Sequence, residues 1–410
     1  MMCQRAKWNE KRTLKRRVPG VAAALVALGV LGALPAVQGG DLNPPSGAIT
    51  STNCTQLNEQ SIDLPFTIST GGCYVLTSNL TGVAAENGII IDADNVTLDL
   101  RGFTLTGVTN SFDGAYVTPG PHKNIEIRNG VVTGWGLDGV DAFAAENSRF
   151  ENLRVHSNGS RGLRVGINSI VTGCATKSNG LAGISTSGGA TVTGCTALGN
   201  TGSGITVGNG SMVSNCTSYG NEQDGIYAGA GCTVTGCSAM NNGVNGINTS
   251  YGCAVTDCAV TINTQDGIVM AENAMVARCS VRANGRDGIS VGKGSTVSEC
   301  VARSHVRDGI VLSEGACRLV GNLCENNGFF GDGAGIHIAS GSSDNRVEDN
   351  SVINNKRGID VDQSGNLIIR NSASNNTTNY DIIVGNHYGQ IVSLPGAGFT
   401  NSNPWANFEF

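Results

Sequence analysis

Charged side chains are scarce in this chain. Asp, Glu, Lys and Arg make up 14% of its 410 residues, against about 25% in an ordinary globular protein. Aromatic residues contribute 5% and there are 9 prolines. So little proline, with glycines that do not fall on every third position, excludes a collagen helix. A hydrophobic content of 40% excludes a disordered chain, which needs low hydrophobicity and high net charge. Basic residues are outnumbered, 26 Lys and Arg against 32 Asp and Glu. That balance argues against a nucleic acid partner, which requires a cationic surface. Beyond Leu34 no apolar run is long enough to span a bilayer. Glycine, by contrast, is plentiful: 59 residues, roughly twice the usual share. The composition describes an ordered, turn-rich protein of small side chains.

Residues 5–17 hold seven Lys and Arg against one Glu, and Val21–Leu34 is an unbroken apolar run followed by Pro35 and small residues near Gly39. This is the order of a secretory signal peptide, so residues 1–39 are expected to be removed and the protein exported to the periplasm, cell surface or medium. Because seven basic residues and one acidic residue lie in that segment, its removal leaves a net charge of about −12. Cations, basic partners and neutral glycans suit such a surface.

A fixed period organises the rest. Gly-aliphatic pairs recur every 21 residues from Gly162-Leu163 through Gly183-Ile184, Gly204-Ile205, Gly225-Ile226, Gly246-Ile247, Gly267-Ile268 and Gly288-Ile289 to Gly309-Ile310. Cysteine keeps the same period at Cys174, Cys195, Cys216, Cys237, Cys258, Cys279 and Cys300. So does asparagine, at Asn179, Asn200, Asn221, Asn242, Asn263 and Asn284, with His305 in the next place. Within each unit short runs alternate with period two and are separated by turn residues, which excludes helices. A 21-residue coil of three short strands and three turns is one rung of a parallel β-helix. Rungs stack about 4.8 Å apart, so like residues lie over like. About a dozen rungs are expected, over residues 85–385, between an N-terminal cap segment (40–84) and a C-terminal cap (386–410) holding Trp405, Phe408 and Phe410. The fold class is all-β, a solenoid.

The stretch Val347-Glu348-Asp349-Asn350-Ser351-Val352-Ile353-Asn354-Asn355-Lys356-Arg357-Gly358-Ile359 carries an aliphatic residue, then Asn, Asn and Gly-Ile at fixed offsets. In this it resembles the single-stranded right-handed parallel β-helix proteins of the pectate-lyase-like superfamily. The resemblance implies the fold, with its right-handed coil. It leaves function open, because that group includes lyases, epimerases, glycosidases, tailspikes and non-catalytic proteins. It also implies that the cysteine ladder fills an inward turn position, taken over by Asn322, Asn350 and Asn371 in the last rungs. Packed free thiols are the simplest account of that ladder, with some disulfides or a bound metal as the alternatives. The asparagines read as amides hydrogen-bonding along the stack. Cys54 and Cys73 stand apart from the period and are expected to form a disulfide.

Chemistry is expected where the period slips, after Gly309, where the next copies come at Gly335 and Gly358. The inserted loop carries Phe329, Phe330 and Asp332, aromatics that can stack on a sugar ring or cap exposed core. Alternation places His337 and Asp360 outward on neighbouring rungs, as a His–carboxylate pair able to do acid–base work. Asp308, Asp362 and Arg357 lie nearby. In the resembling enzymes this face usually forms the substrate cleft. Asp266, Asp287 and Asp308 stack on one edge, where Ca²⁺ or the interleaved Arg286 and Arg307 would relieve their repulsion. The catalytic signatures of pectate lyases, polygalacturonases and alginate epimerases are absent. The expectation is therefore an exported β-helix contacting extracellular polysaccharide, without a required cofactor and as a monomer. A polysaccharide lyase, epimerase or glycosidase using His337 and Asp360, or a structural surface protein, are the alternatives.

Overall fold

The computed structural model describes residues 54–328, 333–393 and 401–410. The expected signal segment lies outside them. Every described strand pairs in parallel, and the described residues contain no helix. The chain winds as a right-handed parallel β-helix whose rungs each contribute one strand to each of three ladders. One ladder is a separate sheet of fifteen strands. The other two are joined into a thirty-stranded sheet, because Glu126–Thr133 and Arg149–His156 run straight through the corner between them.

The rung from Ile205 to Gly225 shows why the sequence folds this way. Its strands are Ile205–Val207, Met212–Ser214 and Thr217–Tyr219. Between them the backbone turns at residues with positive φ, namely Gly210 (66°), Asn215 (53°) and Gly220 (65°). Only glycine and, at modest cost, asparagine adopt that conformation readily. Each such residue is followed by a buried one: Ser211, Cys216 and Asn221. The first ladder buries both ends of its strand and the other two bury the middle residue, so the core of each rung is a few small aliphatic side chains. Glycine before the first strand is a steric requirement. A Cβ on Gly204 would lie 2.1 Å from Ser218 Oγ and 2.7 Å from both Asn221 Nδ2 and the Gly225 carbonyl.

The asparagine ladder bonds as expected. Asn200 donates both its backbone N–H (3.0 Å) and its side-chain Nδ2 (2.9 Å) to Asn221 Oδ1, and the pattern repeats from rung to rung. The cysteine ladder is its thiol counterpart. The backbone N–H of Cys195 donates to Cys216 Sγ at 3.4 Å and that of Cys279 to Cys300 Sγ at 3.5 Å. One rung later the Cys300 N–H goes to Asn322 Oδ1 at 3.0 Å, so thiol and amide are interchangeable acceptors at this corner. Cys232, Cys253 and Cys317 occupy a different corner. Cys54 and Cys73 form a disulfide. The eleven cysteines from Cys174 to Cys324 are free and buried, and burial pushes the thiols of Cys317 and Cys324 up. Thiolate is the species that reacts with alkylating agents. All eleven are buried out of reach of the reagent, so iodoacetamide should leave them unmodified in the folded protein and label them all in guanidinium, read by peptide mass spectrometry. Rapid labelling of any ladder cysteine in the folded state would contradict this packing.

The solenoid begins earlier than its period implies. Phe66, Ile89, Ala115, Val140 and Leu163 are successive register partners in the first ladder, at steps of 23, 26, 25 and 23 residues. Residues 55–81 already pair with the rungs above them. At the other end Phe408 pairs with Ser372 and places the tail in the third ladder.

Candidate functional site

The middle residue of each first-ladder strand points outward. From Ser185 to Val311 this column is Ser185, Thr206, Tyr227, Asn248, Val269, Ser290 and Val311, all neutral. Beyond the slip in spacing it becomes His337, Asp360 and Asp381, on strands lengthened to five residues. His337 and Asp360 are register partners on adjacent rungs.

Their bonding differs from the expected pair. His337 Nδ1 lies 2.9 Å from Asp308 Oδ2 and His337 Nε2 lies 3.3 Å from Asp362 Oδ2. Asp360 turns instead to the Arg357 guanidinium. The reason is reach. Asp308 sits in the corner before the strand below, and its carboxylate extends upward: Oδ1 accepts the N–H of Ala334 at 2.7 Å while Oδ2 takes the imidazole. Burial opposes a charge on His337. The hydrogen bond to Asp308, reinforced by the fields of Asp308 and Asp360 and the bond to Asp362, outweighs it and raises its pKa to about 9. His337 is thus an imidazolium at neutral pH. Burial pushes the Asp360 carboxyl up, against the pull of Arg357. Arg357 also approaches Asp381, at 3.7 Å. Phe329, Phe330 and Asp332 lie outside the described residues.

The acidic edge is explained by the backbone. Asp266 Oδ1 accepts the Asp287 N–H at 2.8 Å, and Asp287 Oδ1 accepts the Asp308 N–H at 3.0 Å. Arg286 lies 3.8 Å from Asp266 and Arg307 3.7 Å from Asp287, so the interleaved arginines sit where repulsion requires them. Among the described residues, the group whose ligand atoms converge within 4.8 Å as a cation site would need is His337, Asp360 and Asp362.

On the same face, alternation also points Asp141 and Arg164 outward, and the structure joins them to Tyr116 in a second charged group that the sequence did not single out. Tyr116 and Asp141 are register partners, as are Asp141 and Arg164. Arg164 bonds Asp141 at 3.2 Å and stands 4.3 Å from the centre of the exposed Phe143 ring. Beside them burial pushes Asp113 up to about 6. The steps of 25 and 26 residues in these rungs hid Tyr116 from a 21-residue period. The alternation Ala115-Tyr116-Val117 is the signal that could have revealed it.

Comparison with known proteins bears on the fold. No curated protein matches the sequence. Among solved structures, the periplasmic alginate epimerase AlgG is 16% identical, with 67% of this chain and 76% of that one covered at a TM-score of 0.44. The A-module of the Azotobacter vinelandii mannuronan C-5 epimerase AlgE4 is 13% identical, covering 72% and 90% at 0.42. The tailspike protein of Escherichia coli bacteriophage HK620, as a double mutant, is 12% identical, covering 83% and 72% at 0.45. The family described as "Right handed beta helix region" matches residues 68–212, 168–275 and 266–400. These segments overlap into one stretch that takes in most of the chain, and the protein belongs to the right-handed β-helix family.

Proposed function

We propose that this protein is exported and binds an extracellular polysaccharide along the first-ladder face, with His337 at the centre of the contact. The observation that carries this reading is the change in the outward column. Seven successive neutral positions give way, at the slip in spacing, to a charged imidazolium set among Asp308, Asp360 and Asp362 and open to solvent on one side. Asp308 also serves the corner ladder through the Ala334 N–H, but no rung-to-rung backbone bond calls for the charges of His337, Asp360 and Asp362. A face of fifteen stacked strands suits a polymer laid across rungs, as extended solenoid surfaces do. The Cys54–Cys73 disulfide fits an oxidising compartment.

Geometry favours binding ahead of turnover. A general base needs a carboxylate whose lone pairs face the substrate. Both Asp308 oxygens are engaged and Asp360 is buried against Arg357. Half-exposed Asp362 is the carboxylate of the set with room to act. The test is a polysaccharide array probed with the wild-type protein, His337→Ala and the exposed-site variant Asp362→Asn, alongside absorbance of unsaturated uronate products. We expect retention on at least one polysaccharide, weakened tenfold or more by either substitution, and no absorbance change. No retention anywhere would refute the reading. Product formation abolished by His337→Ala would replace it with catalysis.

A further inference from the structure

The second ladder changes character at its C-terminal end. The positions flanking its buried middle residues are mostly Thr, Ser, Ala and Met through Ser298, then become Arg318, Val320, Arg346, Glu348, Leu367 and Ile369. The Glu348 side chain is 1% exposed. Three guanidiniums converge on it: Arg318 at 2.9 and 2.7 Å, Arg346 at 2.6 Å and Arg370 at 2.8 Å. Arg370 also holds Asp349 at 2.9 and 3.0 Å. Three positive charges against two negative ones leave a cationic surplus on an otherwise acidic chain. Arg346 Nε is buried without a hydrogen-bond partner.

Beside this cluster opens a cleft of about 630 Å³, within the range of ligand sites. Leu367, Ile369 and Arg346 line it, and Tyr388 and Trp405 supply aromatic surface. Both rings are about half exposed, and the Arg370 guanidinium lies 5.3 Å from the Trp405 ring centre. Gln390 and Asn403 add amides able to donate and accept. Exposed aromatic faces suit the apolar face of a sugar ring, amides its hydroxyls, and the positive charge of Arg346 an acid group.

We propose that this cleft binds a saccharide bearing an acid group, carboxylate or sulfate, at a site separate from the first-ladder face. It takes up ligand whether or not His337 does.

Trp405 provides the readout, because among the described residues the other tryptophan, Trp135, is buried. The full chain would be titrated with oligogalacturonate, heparin oligosaccharide and neutral dextran oligomers, followed by tryptophan fluorescence and calorimetry. Saturable binding of an acidic oligomer is expected, at least tenfold tighter than dextran and at least tenfold weaker in both Arg346→Gln and Trp405→Leu. His337→Ala should leave it unchanged. Preference between oligogalacturonate and heparin identifies which acid group the cleft takes. Equal binding of dextran, or no binding of either acidic oligomer, would overturn the proposal. Binding lost in His337→Ala but kept in the two cleft variants would overturn it too, and would assign the ligand to the first face.

Discussion

Replacing Trp135 with alanine should lower unfolding stability by about 3–5 kcal/mol, the cost of deleting a large buried aromatic side chain. Trp135 is 1% exposed and stands at the foot of the asparagine ladder, where its backbone N–H donates to Asn158 Oδ1 at 3.1 Å. Its indole Nε1 donates to the Leu105 carbonyl at 3.2 Å. The ring lies in a slot cut by glycines. A Cβ on Gly82 would come within 2.4 Å of it, on Gly88 within 2.7 Å and on Gly114 within 2.8 Å. Three walls without side chains cannot relax into the space an alanine leaves, which places the substitution at the costly end of the range. Rungs contact only their neighbours, so the loss should appear as early melting of the N-terminal coils. Urea unfolding with hydrogen exchange resolved by peptide would show residues 80–160 losing protection first. A loss below about 1 kcal/mol, well short of a buried-aromatic deletion, would mean that the slot collapses after all.

Two histidines should bend the stability of the protein in opposite directions with pH. His305 replaces asparagine in the ladder and is 2% exposed. Its Nδ1 accepts the Asn284 N–H at 3.2 Å, which leaves the proton on Nε2, 3.2 Å from the Val281 carbonyl. A second proton would set donor against donor, and burial lowers the pKa to about 4. An unfolded histidine titrates near 6.5. As pH falls from about 6.5 to about 4 the unfolded chain gains a proton that the folded one refuses, and stability drops by about 3 kcal/mol. His337 behaves conversely. With a folded pKa of about 9, its contribution is complete below about 6.5 and is lost, again by about 3 kcal/mol, as pH rises to about 9. Asp113, pushed up to about 6, works against His305 on the acid side. Differences between variants therefore carry the test, since Asp113 cancels in them. The wild-type minus His305→Asn difference should change with pH only below about 6.5, and the wild-type minus His337→Gln difference should fall as pH rises from about 6.5 to about 9 and level off above that. Differences that stay flat across pH would show that neither ring titrates as its contacts require.

Much of this architecture is legible in the sequence because three residue types obey one period for separate physical reasons. Glycine stands where a Cβ would strike the next rung, as at Gly204. Asparagine stands where one amide satisfies two donors, as at Asn221. Cysteine stands where a small acceptor suffices, as at Cys216. The rungs below Leu163 were harder to count, since their corners carry extra residues and Trp135 takes the asparagine place. Alternation put His337 and Asp360 on adjacent rungs. It could not reveal that Asp308 claims the imidazole, because Asp308 lies in a corner, where side-chain direction follows backbone turning and not strand pleat. The C-terminal cleft was hidden for another reason: Trp405 belongs to a tail whose return to the third ladder through Phe408 leaves no periodic trace.

The buried thiols set up a race. In an oxidising environment eleven reduced cysteines threaten an unfolded chain with random crosslinking, and the Cys54–Cys73 bond shows that oxidation and reduced thiols coexist in one molecule. Each rung stacks only on neighbours about 21 residues away, so coils can nucleate anywhere along the chain and propagate rung by rung. Disulfide exchange takes seconds or longer. Each completed coil buries its thiol, so in an oxidising compartment rung-by-rung closure would supply the protection that a reducing one gives.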